Sequence, residues 1–118
     1  MGHLTLDHYP EWDLVVFTGR GTLTGAQVID ANRWREARCP TGRTLWDLRL
    51  ADMSEIALPE LQRIVEGLVE QAQLAGGRRT ALVMDDELNL PIVRLYAQIA
   101  EYRQLPIDSR IFEGIGPA

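Results

Sequence analysis

Several groups of residues in this chain have types and spacing that could do chemistry. The most suggestive are carboxylates that follow two apolar runs: Asp47 and Asp52 after one, Asp85-Asp86-Glu87 after the other. Carboxylates gathered from two loops can hold a divalent cation through oxygen ligands. They can also act as an acid–base pair where a pocket fixes their separation. Simpler roles suit the same residues. Asp85, Asp86 and Glu87 precede a helical stretch and complement its N-terminal dipole, and Asp47 can pair with an arginine. Two separate loops specify no ligand geometry, so the simpler roles are expected and no metal or cofactor is assigned. His3 and His8 have no carboxylate at a diagnostic spacing and read as exposed edge-strand residues. Gly19-Arg20-Gly21 offers backbone N–H groups to an anion, but turn geometry alone explains a single Gly-x-Gly. Cys39 lies beside Pro40 with no base nearby and is read as an inert thiol. No complete catalytic motif is present, so no catalytic residue is assigned and the chain is read as non-enzymatic.

The bulk properties narrow the classes further. The chain has 118 residues, enough for one domain over 1–118 with a real core. Its hydrophobic content of 46% and charged content of 25% are those of an ordinary globular protein. No apolar run approaches the length of a membrane span, and the N-terminus has no signal-peptide pattern. One cysteine allows no internal disulfide. A cytoplasmic protein without membrane insertion is expected. The net charge of -5 argues against nucleic acid as a partner. All twelve basic residues are arginines. The missing lysine removes Schiff-base chemistry, a P-loop ammonium and a response-regulator phosphorylation site from this chain.

The elements that must position these residues are ordered around one stretch, Arg43 to Gly77. A strand over Arg43–Arg49 leads through a crossing loop, Leu50–Ala57, to a helix over Leu58–Ala75. Leu61, Ile64, Val65, Leu68, Ala72 and Ala75 recur at helical spacing, with Pro59 in the first turn and Gly76-Gly77 at the stop. Upstream, His3–His8 and Leu14–Thr18 suit a hairpin, and Gly19–Gly25 reads as loop. Thr24-Gly-Ala-Gln27 fits a capping box for a helix over Gly25–Arg38, with Val28, Ile29, Ala31 and Trp34 inward. Downstream come a strand over Arg79–Met84 and a helix over Leu88–Gln104. That helix has Asn89 as its cap and Ile92, Leu95, Tyr96, Ile99 and Tyr102 as its inner stripe. An edge strand over Ile107–Phe112 ends the pattern. The order β-β-α-β-α-β-α-β predicts an α/β fold with a mostly parallel mixed sheet and right-handed crossover helices.

Ligands in open α/β sheets collect where parallel strands end. A partner-docking or ligand rim is therefore expected at Asp47, Arg49, Asp52, Met53, Ser54, Ile56, Asp85 and Asp86. Phe17, Trp34, Trp46 and Met84 could line an apolar pocket between sheet and helices.

With the Leu45-Trp-Asp-Leu-Arg-Leu-Ala-Asp-Met-Ser54 segment set before a long helix, the chain resembles a STAS domain, more narrowly the stand-alone SpoIIAA-like bacterial proteins. Val15-Val-Phe-Thr-Gly19 and Ala81-Leu-Val-Met-Asp85 before Leu95-Tyr96 carry the likeness along most of the chain. The resemblance implies a non-enzymatic regulatory domain that docks another protein. Its alternative, from the superfamily's CRAL-TRIO-type lipid-transfer relatives, is a carrier or sensor of a small apolar ligand. A homodimer is compatible with either. Anti-anti-sigma factors, which are similar, carry a phosphorylated serine at the start of the long helix. Here Ala57 stands near that position, and the usual phospho-switch is not expected.

Overall fold

The computed structural model describes residues 2–74, 78–84, 88–105 and 107–113. The alternating N-terminal residues form strand β1 (His3–Tyr9), which runs antiparallel to β2 (Leu14–Thr22) with Leu6 opposite Phe17. A 3-10 turn over Pro10–Trp12 joins them, closed by Asp13 in a left-handed conformation at φ 50°. The Asp13 carboxylate accepts the Gly42 N–H at 2.9 Å, which ties this hairpin to the start of the next strand.

From there strands and helices alternate: α1 (Gly25–Arg38), β3 (Arg43–Asp52), α2 (Leu58–Leu74), β4 (Arg78–Met84), α3 (Leu90–Tyr102) and β5 (Ile107–Glu113). The described residues thus form an α/β fold with a five-stranded mixed sheet in the order β1-β2-β3-β4-β5, antiparallel only between β1 and β2. Strands that follow one another in a single direction, joined by right-handed crossovers, place every helix on the same side. Hydrogen bonds agree with this. Arg35 of α1 reaches Thr44 and Tyr96 of α3 reaches Ser109, and Thr44, Thr80 and Ser109 share one row across β3, β4 and β5. One face of the sheet is therefore roofed by helices and the opposite face is left open.

A register shift sets how β3 ends. Thr18 pairs with Asp47 and Arg20 with Leu50, so Leu48 and Arg49 stand opposite Gly19 alone. Such an extra residue reverses which side chains point inward. Thr44 and Trp46 are buried before the shift, Leu48 within it, and Ala51 and Met53 after it. Gly19-Arg20-Gly21 lies in β2 and Leu50–Asp52 in β3, so both strands run past their expected ends and the Gly-x-Gly is not a loop that cradles an anion.

The helices follow their local signals to different degrees. The Thr24–Gln27 capping box is complete, with Gln27 N–H to Thr24 Oγ1 at 3.2 Å and Thr24 N–H to Gln27 Oε1 at 2.8 Å. Alanine gives α2 no side-chain cap at Ala57. Glu60 instead reaches back to accept the Ala57 N–H at 3.1 Å. Gly25 is required by packing, since a Cβ there would meet the Glu60 side chain at 2.7 Å. In α2 the expected Leu61, Ile64, Val65 and Leu68 are buried. The side chain of Ala72, and Ala75 to Gly77, lie outside the described residues. In α3 the inner residues are Val93, Tyr96 and Ala100, whereas Tyr102, expected inside, is 85% exposed.

Candidate ligand cavity and the two faces of the sheet

The rim expected at the strand ends does not form one surface. Asp47 and Arg49 lie two residues apart on the open face of β3. Arg49 donates from Nε and from one terminal nitrogen to the two Asp47 oxygens at 2.9 and 2.8 Å. That hydrogen-bonded arginine holds Asp47 below its ordinary carboxylate pKa. Asp52 turns instead to the chain that follows. Its Oδ1 accepts the Ser54 N–H at 2.9 Å and the Ser54 hydroxyl at 2.6 Å, and these bonds lower its pKa. Met53 and Ile56 point into the core at 8% and 4% exposure, so neither can dock a partner as placed. Asp85 and Asp86 lie outside the described residues.

Asn89 organises this strand end, and it does so in a way the sequence concealed. It precedes α3 but makes no capping bond. Its side chain is fully buried and reaches across to the end of β3. There Oδ1 accepts the Met53 N–H at 2.7 Å, while Nδ2 donates to the Ala51 carbonyl at 2.6 Å and the Leu48 carbonyl at 3.4 Å. Backbone groups freed by the irregular end of β3 are thus satisfied by one amide.

Behind that strand end, on the helix-covered side, lies a partly open cavity of about 50 Å³. Trp46 and Leu48 of β3 and Thr80 and Leu82 of β4 form its floor. Leu61, Ile64 and Leu68 of α2 and Ile92, Val93 and Tyr96 of α3 form its roof, with Met53 at the strand end. Val28, Asn32 and Arg35 of α1 close one side. Of the four aromatic or sulfur residues expected to line a pocket, Trp46 lines this cavity, while Phe17 and Trp34 line a separate shallow pocket with Leu4, Leu6 and Ala31. Phe17 stacks behind Trp46, ring centroids 4.3 Å apart. Met84 is fully buried away from the cavity wall. Trp34 faces outward at 45% exposure, with the Arg38 guanidinium 5.4 Å from its ring.

The exchange of Trp34 for polar inward residues comes from the orientation of α1. Its buried face runs through Gly25, Val28, Asn32 and Arg35. Arg35, only 2% exposed, donates to Thr44 Oγ1 at 2.7 Å and Gln71 Oε1 at 3.2 Å. Its Nε has no acceptor among the described residues. Beside it Arg78, also buried, is gripped by Glu36 through bonds of 2.6 and 2.9 Å. Burial, and then the charge of Arg78, lower the pKa of Arg35. Glu36 is held below the ordinary carboxylate range, first by its hydrogen bonds from Arg78. Asn32 and Arg35 were not among the expected site residues. Polar side chains at apolar spacing, i to i+4 to i+7 from Val28, are the signal that marks them.

Outside the cavity, the seam between α2 and α3 is a groove lined by Gln62, Arg63 and Glu66 on one side and Leu95, Ile99 and Tyr102 on the other. Arg103 crosses it to bind Glu66 with two hydrogen bonds. The open sheet face is different in character. Leu45 and Ala81 sit at its centre beside exposed Phe112, with Arg43, Arg79, Asp108 and Arg110 around them. No described helix is long and apolar enough to cross a membrane, and no three His, Cys, Asp or Glu side chains gather as metal ligands among the described residues. Compared with known proteins, the chain matches no family model and no curated sequence.

Proposed function

We propose that this domain is a non-enzymatic binding module that takes a small, mostly apolar molecule between its sheet and helices. The observation that carries this reading is the cavity of about 50 Å³ between Trp46 and the helices. A site of roughly 10–15 Å³ already holds one water, and an apolar cavity of about 150 Å³ holds benzene. The space here therefore suits a body of a few heavy atoms, not a long lipid chain. The sequence likeness to STAS domains supports a regulatory role over a catalytic one. Ala57 at the start of α2 supports ligand occupancy, in place of phosphorylation, as the input.

The test is an NMR titration with small alcohols and acids of two to six carbons. Saturable shifts centred on Trp46, Ile64, Leu68 and Tyr96 support the reading, and Leu82→Phe, which fills the cavity, should abolish them. Binding that survives Leu82→Phe unchanged, or no saturable binding at all, overturns it.

A second reading, protein docking, is favoured by the open sheet face. Leu45, Ala81 and Phe112 surrounded by Arg43, Arg79 and Arg110 suit an apolar patch with an acidic rim on a partner protein. Leu45→Glu with Arg79→Glu should abolish a purified complex and leave cavity binding intact.

A further inference from the structure

We infer that the molecule held in this cavity is an anion, a short-chain carboxylate whose head group is recognised by Arg35 and Asn32 of α1. The inference rests on the small-ligand reading and adds the chemistry of the ligand's polar end.

Charge accounting inside the domain carries it. Two guanidinium groups, Arg35 and Arg78, are buried within reach of one carboxylate, Glu36. Arg78 takes that carboxylate in a two-pronged grip, and Arg35 approaches it only at 3.9 Å. Arg35 is left with two neutral oxygen acceptors and an Nε–H that has none among the described residues. A buried cation in that state is costly unless something supplies the missing charge and acceptor. Water in the cavity would supply only part of this. A carboxylate supplies both, because its planar pair of oxygens matches the fork of a guanidinium.

The neighbourhood supports the same choice. Asn32 is 5% exposed, lines the cavity, and has no side-chain hydrogen bond to a described residue, so its amide has a free donor for the second oxygen. Apart from these two residues and from Thr80 and Tyr96, the wall is apolar, with Leu48, Ile64, Leu68 and Leu82 its main surface. That surface suits a short hydrocarbon tail and disfavours a fully hydrated ion such as phosphate. The small volume limits the tail to a few carbons.

The experiment is a side-by-side titration of the protein with butyrate, butanol and inorganic phosphate, following the backbone amides of the cavity wall and the Arg35 Nε–H resonance. Butyrate should bind at least about tenfold more tightly than butanol and move the Arg35 signal, the scale of one charge-assisted hydrogen bond. Arg35→Met should remove that preference while butanol still binds, and Arg35→Lys should restore part of it. The Arg35 resonance in the unaltered protein gives the answer even if either variant fails to fold. Equal binding of butyrate and butanol with an unmoved Arg35 signal overturns the carboxylate inference and leaves the small-ligand reading standing. Phosphate binding more tightly than butyrate also overturns it. No binding of either organic probe overturns both.

Discussion

The two faces of this sheet carry the same arginine–carboxylate chemistry under opposite conditions. On the open face Asp47 pairs with Arg49, whose side chain is partly exposed to solvent, where water compensates any imperfection. On the covered face Glu36, itself partly exposed, is shared unequally between Arg78 and Arg35, whose guanidinium groups are buried. Both strong pairs are two-pronged, Arg49 using Nε and one terminal nitrogen and Arg78 its two terminal nitrogens. What differs is the surplus cation, tolerable in water and expensive in the interior. What surrounds a polar group thus matters more than how many partners it has, and the buried surplus cation is what the proposed carboxylate would neutralise.

The sharpest way to break this comparison is to remove each carboxylate in turn. Glu36→Gln strands two buried guanidinium groups and should cost about 3 kcal/mol in denaturant unfolding, whereas Asp47→Asn should cost less than about 1 kcal/mol. Equal losses would mean that the covered face is wetter than its burial indicates. Asn89→Ala comes next. It leaves the Met53 N–H and the Ala51 carbonyl without their partner inside the fold, at an expected cost of about 2–3 kcal/mol by the same measurement. Amide hydrogen exchange should rise at Met53 and stay unchanged in β1.

Acid gives a smaller, graded test. The folded pKa of Glu36 lies below its ordinary value near 4.5. Its contribution is therefore fully present above that value and is lost as pH falls through the lowered folded one. The unfolding free energy should fall below about pH 4.5, and the slope should flatten in Glu36→Gln. Asp47 contributes with the same sign, because Arg49 lowers its pKa too, but Asp47→Asn should flatten the slope less. An identical slope in all three proteins would place the acid-labile interaction elsewhere. The smallest effect is expected at the groove. Glu66→Gln breaks an exposed pair with Arg103 and should change stability by less than about 0.5 kcal/mol. Faster exchange of butyrate in the same variant would identify the α2–α3 seam as the entry route.

Much of the architecture was legible before any coordinates. Helix α2 declares itself because its apolar residues fall on one stripe and Pro59 marks its start. The capping box of α1 is equally plain in Thr24 and Gln27. The alternation of strands and helices, with one hairpin first, was enough to expect a mixed, mostly parallel sheet. The site was far less legible. Met53 and Ile56 look like loop residues after Arg49, yet the register shift opposite Gly19 turns Met53 inward and draws the following loop with it. Asn89 has the sequence context of a helix cap, and nothing local says that its amide serves a strand thirty-six positions away.

The chain by itself determined where helices and strands run, because periodicity, capping and turn chemistry act over a few neighbouring residues. The sequential strand order that leaves one sheet face uncovered emerged only in the fold. Only the tertiary structure decided which side of α1 turns inward. Apolar spacing favoured Trp34, but packing against α2 and β3 chose Asn32 and Arg35, whose polar groups find partners in Thr44 and Gln71. Burial of a charge depends on contacts between distant segments, and those contacts leave no periodic mark in the sequence.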